Sequence, residues 1–259
     1  MSGLTRYSRL LGDLSASRGK IGMNSPDWQA LFSAVCDRGQ AAFEWGFIEP
    51  WIHAELYTEL KRQAASNGWE PFPIEVPYVT AYPVRLPRKE SRDWRKDGGV
   101  KWADLCLRSK EANTWYWIEF KVRNARFERG IQKLALAARD AFRKDIVALM
   151  GFDINSTADI WTNLDTYTVA YGEFLTPHAG SIRSRKHRFA AAFLQLWGKL
   201  DLALWSENTL LQEIDNWFSY RNAGTGRHDT CPQIPVQSFV IGGHSLVVCE
   251  WTAVGRSTP

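Results

Sequence analysis

The segment Thr114–Val122 constrains this sequence most strongly, because its residues alternate with a period of two. One face of the alternation consists of Tyr116, Ile118, Phe120 and Val122, and the other of Trp115, Trp117, Glu119 and Lys121. Successive side chains of a β-strand point to opposite faces, so the pattern predicts a strand. Val100–Arg108 is a second predicted strand. The connection of about five residues between them, Ser109 to Asn113, is typical of a β-hairpin.

Helices are predicted on both sides of this hairpin. Apolar residues recur with helical spacing over Pro50–Ser66, where Ile52, Leu56 and Leu60 form a stripe. A helix to about Asp37 is expected to start at Ser25 as N-cap, with Pro26 in the first turn. Further helices are predicted at Phe127–Met150, Arg188–Trp205 and Leu210–Tyr220, and further strands at Ile74–Val84, Thr166–Leu175, Val236–Ile241 and Ser245–Val254. Gly242-Gly243 forms the turn between the last two strands.

This order of elements predicts an α/β fold, with a mixed central β-sheet flanked by helices. Residues 1–25 are expected to be loosely held, and residues 26–259 to form a single domain. The 259 residues contain 45% hydrophobic and 23% charged residues, as soluble globular proteins do. Without a long apolar run or a secretory signal, we expect a cytoplasmic protein with no membrane partner. The four cysteines are expected to be buried reduced thiols, and zinc is disfavoured.

The two hairpin strands carry the residues that best indicate chemistry. Glu119 and Lys121 share a face of the second strand, and Asp104 on the first strand approaches them if the strands pair. Buried charges need partners. One arrangement is a plain ion pair between lysine and carboxylate. The other is a divalent metal such as Mg²⁺, which prefers oxygen ligands and acts on phosphate esters.

The pattern of Asp104, a gap of fourteen residues, and then Glu119-Phe120-Lys121 inside an apolar strand resembles the PD-(D/E)xK nuclease superfamily, which includes restriction endonucleases. The resemblance covers roughly residues 45–175 as a restriction-endonuclease-like core, followed by a C-terminal helical and hairpin extension over about 176–259. Ala103 stands where the motif name has Pro. The resemblance implies that Asp104 and Glu119 bind Mg²⁺, with Mn²⁺ as a substitute, and that Lys121 assists the attacking water. It also implies an acidic residue on the preceding helix, for which Glu55 is chosen.

A nuclease also needs a surface for a polyanion, and the net charge of +4 permits one. The basic run before Asp104 is either such a surface or a solvated loop. The residues predicted to bind nucleic acid are Arg88, Lys89, Arg92, Trp94, Arg95, Lys96, Arg123, Arg126, Arg129 and Gln132.

The expected function is therefore that of a Mg²⁺-dependent endonuclease acting on DNA rather than RNA, in restriction, repair or phage-related defence. A catalytically silent nucleic-acid-binding module on the same fold is the alternative. A third hypothesis is a structural or inhibitory partner protein in which the three residues form an ion-pair network. Whether the protein is a homodimer stays open. The sequence contains no HExxH zinc motif, no P-loop lysine pattern and no GxSxG elbow.

Overall fold

The computed structural model describes most of the predicted core. The described residues are 25–45, 49–72, 75–80, 99–109, 114–124, 142–163, 175–197, 212 and 234–252. Among them, no helix is both long and apolar enough to cross a membrane.

The first helix, α1, spans Trp28–Trp45. The prediction of a helix here is confirmed, but its cap and its end are wrong. The carboxylate of Asp27 accepts a hydrogen bond from the backbone N–H of Ala30 at 3.0 Å, so Asp27 is the N-cap. Ser25 lies before the helix, and its hydroxyl instead accepts a hydrogen bond from Arg188 at 2.6 Å.

The second helix, α2, spans Glu49–Asn67 and confirms the predicted apolar stripe, since Ile52, Leu56 and Leu60 are all buried. It packs closely against α1 at Gly39. A Cβ atom added to Gly39 would lie 2.6 Å from ring atoms of both Phe43 and Trp51. The two helices can therefore approach this closely only because residue 39 has no side chain.

Eight strands are described. They are β1 Trp69–Pro71, β2 Val76–Thr80, β3 Gly99–Ala103, β4 Leu105–Ser109, β5 Thr114–Asn124, β6 Lys186–Leu196, β7 Val236–Ile241 and β8 His244–Thr252. Six of them form a mixed sheet in the order β1-β4-β5-β6-β8-β7, and β2 pairs with β3 in a separate two-stranded sheet. Within the large sheet β5 and β6 are parallel and the other neighbours are antiparallel.

The predicted hairpin is present, since β4 and β5 pair in antiparallel register from Leu105 opposite Ile118 to Ser109 opposite Thr114. However, the single strand predicted over Val100–Arg108 is two strands. The chain bends at Asp104, and the residues before the bend pair with β2 instead of β5. Asp104 therefore marks the point where the chain passes from the small sheet to the large one.

The helix predicted over Arg188–Trp205 is wrong at its described residues, because β6 is a central strand up to Leu196. This strand is flanked by β5 and β8, and almost every residue from Phe189 onward is buried. A strand covered on both faces has no polar face and shows no alternation. Its phenylalanine and leucine spacing therefore resembled the stripe of a helix.

The remaining elements connect β5 to β6. Residues 142–150 form helix α3, which confirms the end of the predicted helix Phe127–Met150. Helix α4 spans Ile154–Asn163, and a short 3₁₀ turn, Thr176–His178, leads into α5, Ala179–Ser184. Leu175, the last residue of a predicted strand, is buried in a helical turn. The rest of that strand and the helix predicted over Leu210–Tyr220 lie outside the described residues, except for the helical Gln212.

Each face of the large sheet has its own buried core. Helices α1 and α2 cover the face that carries Tyr116, Ile118 and Phe120. The two-stranded sheet and helices α3 to α5 cover the face that carries Trp115 and Trp117. The predicted α/β class with a mixed sheet between helices is thus confirmed. Cys36 and Cys106 are buried free thiols, as expected, and Cys249 is buried as well. Cys231 lies outside the described residues.

The terminal hairpin is also confirmed. Strands β7 and β8 pair from Val236 opposite Cys249 to Ile241 opposite His244. Gly242 and Gly243 connect them with φ values of 52° and 85°. This left-handed conformation is the one that a tight hairpin turn requires and that glycine adopts without strain.

Candidate active site

Asp104 is held beside β5 by its own side chain. Beyond the pair Leu105–Ile118, a continued ladder would place Asp104 opposite Glu119, but the backbone turns away there. The Asp104 carboxylate instead accepts a hydrogen bond from the backbone N–H of Phe120 at 2.7 Å. It thereby supplies an acceptor to β5 just beyond the last residue pair that β5 forms with β4.

Glu119 is buried on the same face of β5 as the tryptophans, with only 4% of its side chain exposed. Two side chains from the two-stranded sheet reach it, because Tyr78 of β2 and Lys101 of β3 lie opposite each other in register. The Tyr78 hydroxyl donates a hydrogen bond to Glu119 Oε1 at 2.6 Å, and Lys101 Nζ lies 3.5 Å from the same oxygen. The small sheet therefore acts as a support for Glu119.

A further carboxylate enters from α3. Asp145 accepts a hydrogen bond through Oδ1 from Lys101, so Lys101 connects Asp145 with Glu119. Its other oxygen, Oδ2, is buried without a hydrogen-bond partner among the described residues and lies 4.0 Å from Lys121 Nζ. Asp145 is therefore positioned between the two lysines.

Helix α2 closes the other side of the cluster. Lys121 Nζ donates a hydrogen bond to Glu49 Oε1 at 3.3 Å. The ring of His53 packs on Phe120 with centroids 4.2 Å apart, and its Nε2 lies 3.9 Å from Asp104 Oδ1. Two residues one helical turn apart on α2 thus face the two ends of the site.

Burial governs the protonation of the carboxylates. It raises the pKa of Asp104 from 3.8 to about 7, against the hydrogen bond from Phe120 and the charge of Lys121. It also raises the pKa of Glu119 well above its usual range, an effect that Asp104 and Asp145 strengthen and Lys101 opposes. These carboxylates thus favour a proton, or another cation, in the folded protein.

The basic groups respond differently. Burial acts to lower the pKa of both Lys101 and Lys121, but the surrounding carboxylates outweigh it and raise both above the ordinary lysine value. Both lysines are therefore charged at neutral pH. Burial and the charge of Lys121 lower the pKa of His53 to about 4, so its imidazole is neutral.

The structure brings Asp104, Glu119 and Lys121 together, but not Glu55. Glu55 forms an ion pair with Arg38 of α1 at 2.8 Å and has no described contact with the other three residues. The residue of α2 that contacts Lys121 is Glu49. Of the residues predicted to bind nucleic acid, only Arg123 is described, as a half-buried residue of β5. Arg88, Lys89, Arg92, Trp94, Arg95, Lys96, Arg126, Arg129 and Gln132 lie outside the described residues.

Sequence reasoning missed Tyr78, Lys101, Asp145, Glu49 and His53. Lys101 and Tyr78 belong to strands whose pairing has no local signal. Asp145 stands between the charged pair Arg143-Lys144 and the apolar run from Ile146 to Met150. The sequence signal for Asp145 was available, since a carboxylate amid the buried residues Phe142, Ile146, Val147 and Leu149 needs a partner. Only the fold shows that this partner is Lys101.

The resemblance implies a Mg²⁺ ion, and the described side chains do not yet form a ligand set for one. Across the described ranges, no three His, Cys, Asp or Glu side chains converge closely enough to hold a metal ion. The cation between Glu119 and Asp145 is the ammonium group of Lys101. The chemistry of the oxygen donors suits Mg²⁺, but their present geometry does not.

Comparisons of this chain with protein-family models, with curated proteins and with solved structures found no match. The arguments about its function therefore depend on the residues and on the geometry of this site.

Proposed function

We propose that this protein is a Mg²⁺-dependent endonuclease that hydrolyses phosphodiester bonds of DNA, with Asp104, Glu119 and Lys121 at its active site and Mn²⁺ able to replace Mg²⁺. The observation that carries the proposal is the closeness of these three residues at the bend between β3 and β4, where the charge of Lys121 acts on Asp104 and that of Asp104 acts on Glu119. The surrounding order of elements, with α2 before the motif strands and α3 after them, agrees with the resemblance to the PD-(D/E)xK superfamily.

The charge balance of the cluster supports a cationic cofactor. Its described members include four carboxylates, of Glu49, Asp104, Glu119 and Asp145, but only the two ammonium groups of Lys101 and Lys121. When all are ionised, negative charge exceeds positive charge by two. A divalent cation has the charge that would balance this excess.

The chain's own residues have distinct proposed roles. Lys121 has 30% of its side chain exposed, so its ammonium group can reach a bound phosphate and offset negative charge that develops there. Asp104 and Glu119 are the proposed metal ligands, and the bound Mg²⁺ would supply charge neutralisation and an activated water. Tyr78 and the backbone of Phe120 hold these two carboxylates in place.

The proposal is tested by incubating the purified protein with single- and double-stranded DNA, linear and circular, and with RNA, in Mg²⁺, Mn²⁺ or EDTA. We expect DNA cleavage that requires a divalent cation and is lost in Glu119→Gln and Lys121→Met. Lys144→Gln serves as the matched control, because Lys144 is exposed on α3. Preferential cleavage of RNA would correct the substrate.

Comparing Glu49→Gln with Glu55→Gln decides which residue of α2 contributes to the reaction. We expect the larger loss of kcat from Glu49→Gln, because Glu49 contacts Lys121 whereas Glu55 is paired with Arg38.

If all variants and the wild type are inert but bind nucleic acid equally well, the alternative of a catalytically silent binding module replaces the proposal. If neither binding nor cleavage occurs, the cluster is structural and the proposal fails.

A further inference from the structure

The contacts of Lys101 differ from those of an ordinary surface lysine. Only 20% of its side chain is exposed, and its ammonium group contacts Glu119 on one side and Asp145 on the other. These two carboxylates come from β5 and α3, which are separated in the chain. Lys101 is thus the positive charge that lets them approach each other.

Asp145 gives a second, independent indication. Only 9% of its side chain is exposed, and within the part of the chain that the structure describes, its buried Oδ2 has no hydrogen-bond partner. A buried carboxylate oxygen without a partner lowers the stability of the folded protein, so such an oxygen normally contacts a hydrogen-bond donor or a cation. Lys121 lies 4.0 Å away, too far for a hydrogen bond. Asp145 therefore has an unused ligand oxygen near Lys121, while its other oxygen shares the Lys101 ammonium group with Glu119.

We propose that Lys101 is a built-in counter-ion that competes with a divalent cation for Glu119 and Asp145. In this arrangement Asp145 is a further metal-ligating residue, and the cation enters only when the Lys101 ammonium group withdraws. This inference rests on the proposed function, since it concerns the same site. It explains why the described oxygens suit Mg²⁺ while a lysine occupies the position between them.

The geometry allows this exchange because Lys101 has a flexible four-carbon stem and lies in β3, an outer strand of the small sheet among the described strands. Its side chain can leave without breaking the pairing of β3 with β2. Glu119 keeps its hydrogen bond from Tyr78 during the exchange, so one oxygen stays oriented. Asp145 exchanges the lysine nitrogen at Oδ1 for the cation and offers Oδ2 as a further ligand oxygen.

The first test measures Mn²⁺ affinity by calorimetry, with unfolding curves to confirm that each variant is folded. Lys101→Gln should bind Mn²⁺ more tightly than the wild type by about tenfold or more, because a competing charge in contact with both carboxylates is removed. Lys101→Arg keeps the charge and should not tighten binding, and neither should Lys144→Gln. Adding Asp145→Asn to Lys101→Gln should reverse the gain. Equal or weaker Mn²⁺ binding by Lys101→Gln overturns the inference.

A second test uses the wild-type protein and does not depend on a variant that folds. Acetylation of lysines by a limiting reagent is followed by mass spectrometry in EDTA and in Mn²⁺. We expect labelling of Lys101 to increase several-fold in Mn²⁺ while labelling of Lys144 stays constant. An unchanged rate at Lys101 would overturn the inference.

The two proposals fail in distinguishable ways. Cleavage of DNA without any change at Lys101 supports the nuclease and refutes the counter-ion. Tighter Mn²⁺ binding by Lys101→Gln in a protein that cuts no nucleic acid supports the counter-ion and refutes the nuclease.

Discussion

Replacing Asp104 with asparagine is expected to stabilise the protein at pH 8, although the same change removes a carboxylate that the proposed reaction needs. Burial raises the pKa of Asp104 from 3.8 to about 7. Between these two values the folded state binds more protons than the unfolded state, so stability falls as the pH rises through this window. Below this pH window, Asp104 is protonated in both the folded and the unfolded state and does not lower the free energy of unfolding.

The size of the effect follows from the difference between the two pKa values. One pKa unit corresponds to about 1.4 kcal/mol, so ionised Asp104 lowers the free energy of unfolding by at most about 4 kcal/mol at pH 8. The pKa of the neighbouring Glu119 is raised as well, so the measured value should be smaller. Asparagine keeps an acceptor for the Phe120 N–H and cannot ionise. The variant should therefore match the wild type near pH 4 and exceed it at pH 8.

Urea unfolding followed by tryptophan fluorescence between pH 4 and pH 8, in EDTA, measures this difference. Asp153→Asn is a suitable control, because the Asp153 carboxylate caps α4 by accepting hydrogen bonds from the backbone N–H groups of Asn155 and Ser156 and lies outside the charge cluster. It should not stabilise the protein at pH 8. An Asp104→Asn variant that is no more stable than the wild type at pH 8, or more stable by the same amount at every pH, would refute the reasoning.

Three further predictions concern stability. Gly39→Ala should lower the free energy of unfolding by about 1–3 kcal/mol, because the new methyl group would clash with two aromatic rings. Gly180→Ala is the control, because residue 180 lies in open space, and it should change the free energy of unfolding by less than about 1 kcal/mol. Equal urea midpoints for the two variants would contradict this prediction. Glu59→Gln should lower the free energy of unfolding by urea by about 2 kcal/mol, because two arginines lose their buried carboxylate partner. A smaller decrease for Glu59→Gln than for Glu55→Gln would contradict this prediction. Burial lowers the pKa of His187 from 6.5 to about 4. As the pH falls through this window, the free energy of unfolding of the wild type should decrease by up to about 3 kcal/mol, and that of His187→Gln should decrease less. Parallel plots of stability against pH for the two proteins would show that His187 is not the cause.

The hairpin that carries the site could be predicted because both of its determinants are local. Alternation over Thr114–Val122 fixes which side chains share a face, and the short connection to β4 fixes the pairing partner. The bend at Asp104 has no such signal. It results from the preceding residues pairing with β2, a strand about 25 residues earlier in the chain. Tyr78 and Lys101 therefore reach Glu119 through a sheet that the sequence did not indicate.

The choice of Glu55 illustrates a different limit. At about 100° per residue, Glu49 and His53 lie on one side of the midline of the apolar stripe of α2, and Glu55 and Glu59 lie on the other side. The periodicity of the helix fixes both flanks but not which of them faces the hairpin. That is decided by the packing of α2 against α1, where Arg38 pairs with Glu55 and Glu59.

These two flanks contain the best argument that the cluster around Glu119 is functional. On the flank with Arg38 and Arg62, two carboxylates face two guanidinium groups, and hydrogen bonding by Arg62 lowers the pKa of Glu59 to about 2. Such a balanced network stabilises its own ionised form and needs nothing further.

On the other flank the carboxylates outnumber the lysines, and burial raises the pKa of both Asp104 and Glu119. A network selected only for stability would not retain ionisable groups that disfavour their own charge, because neutral side chains of the same size would cost less. The excess charge is explained if a cation completes the cluster during function. The ion-pair hypothesis predicts instead that Asp104→Asn and Glu119→Gln both destabilise the protein at pH 8, so the same unfolding curves discriminate between the two.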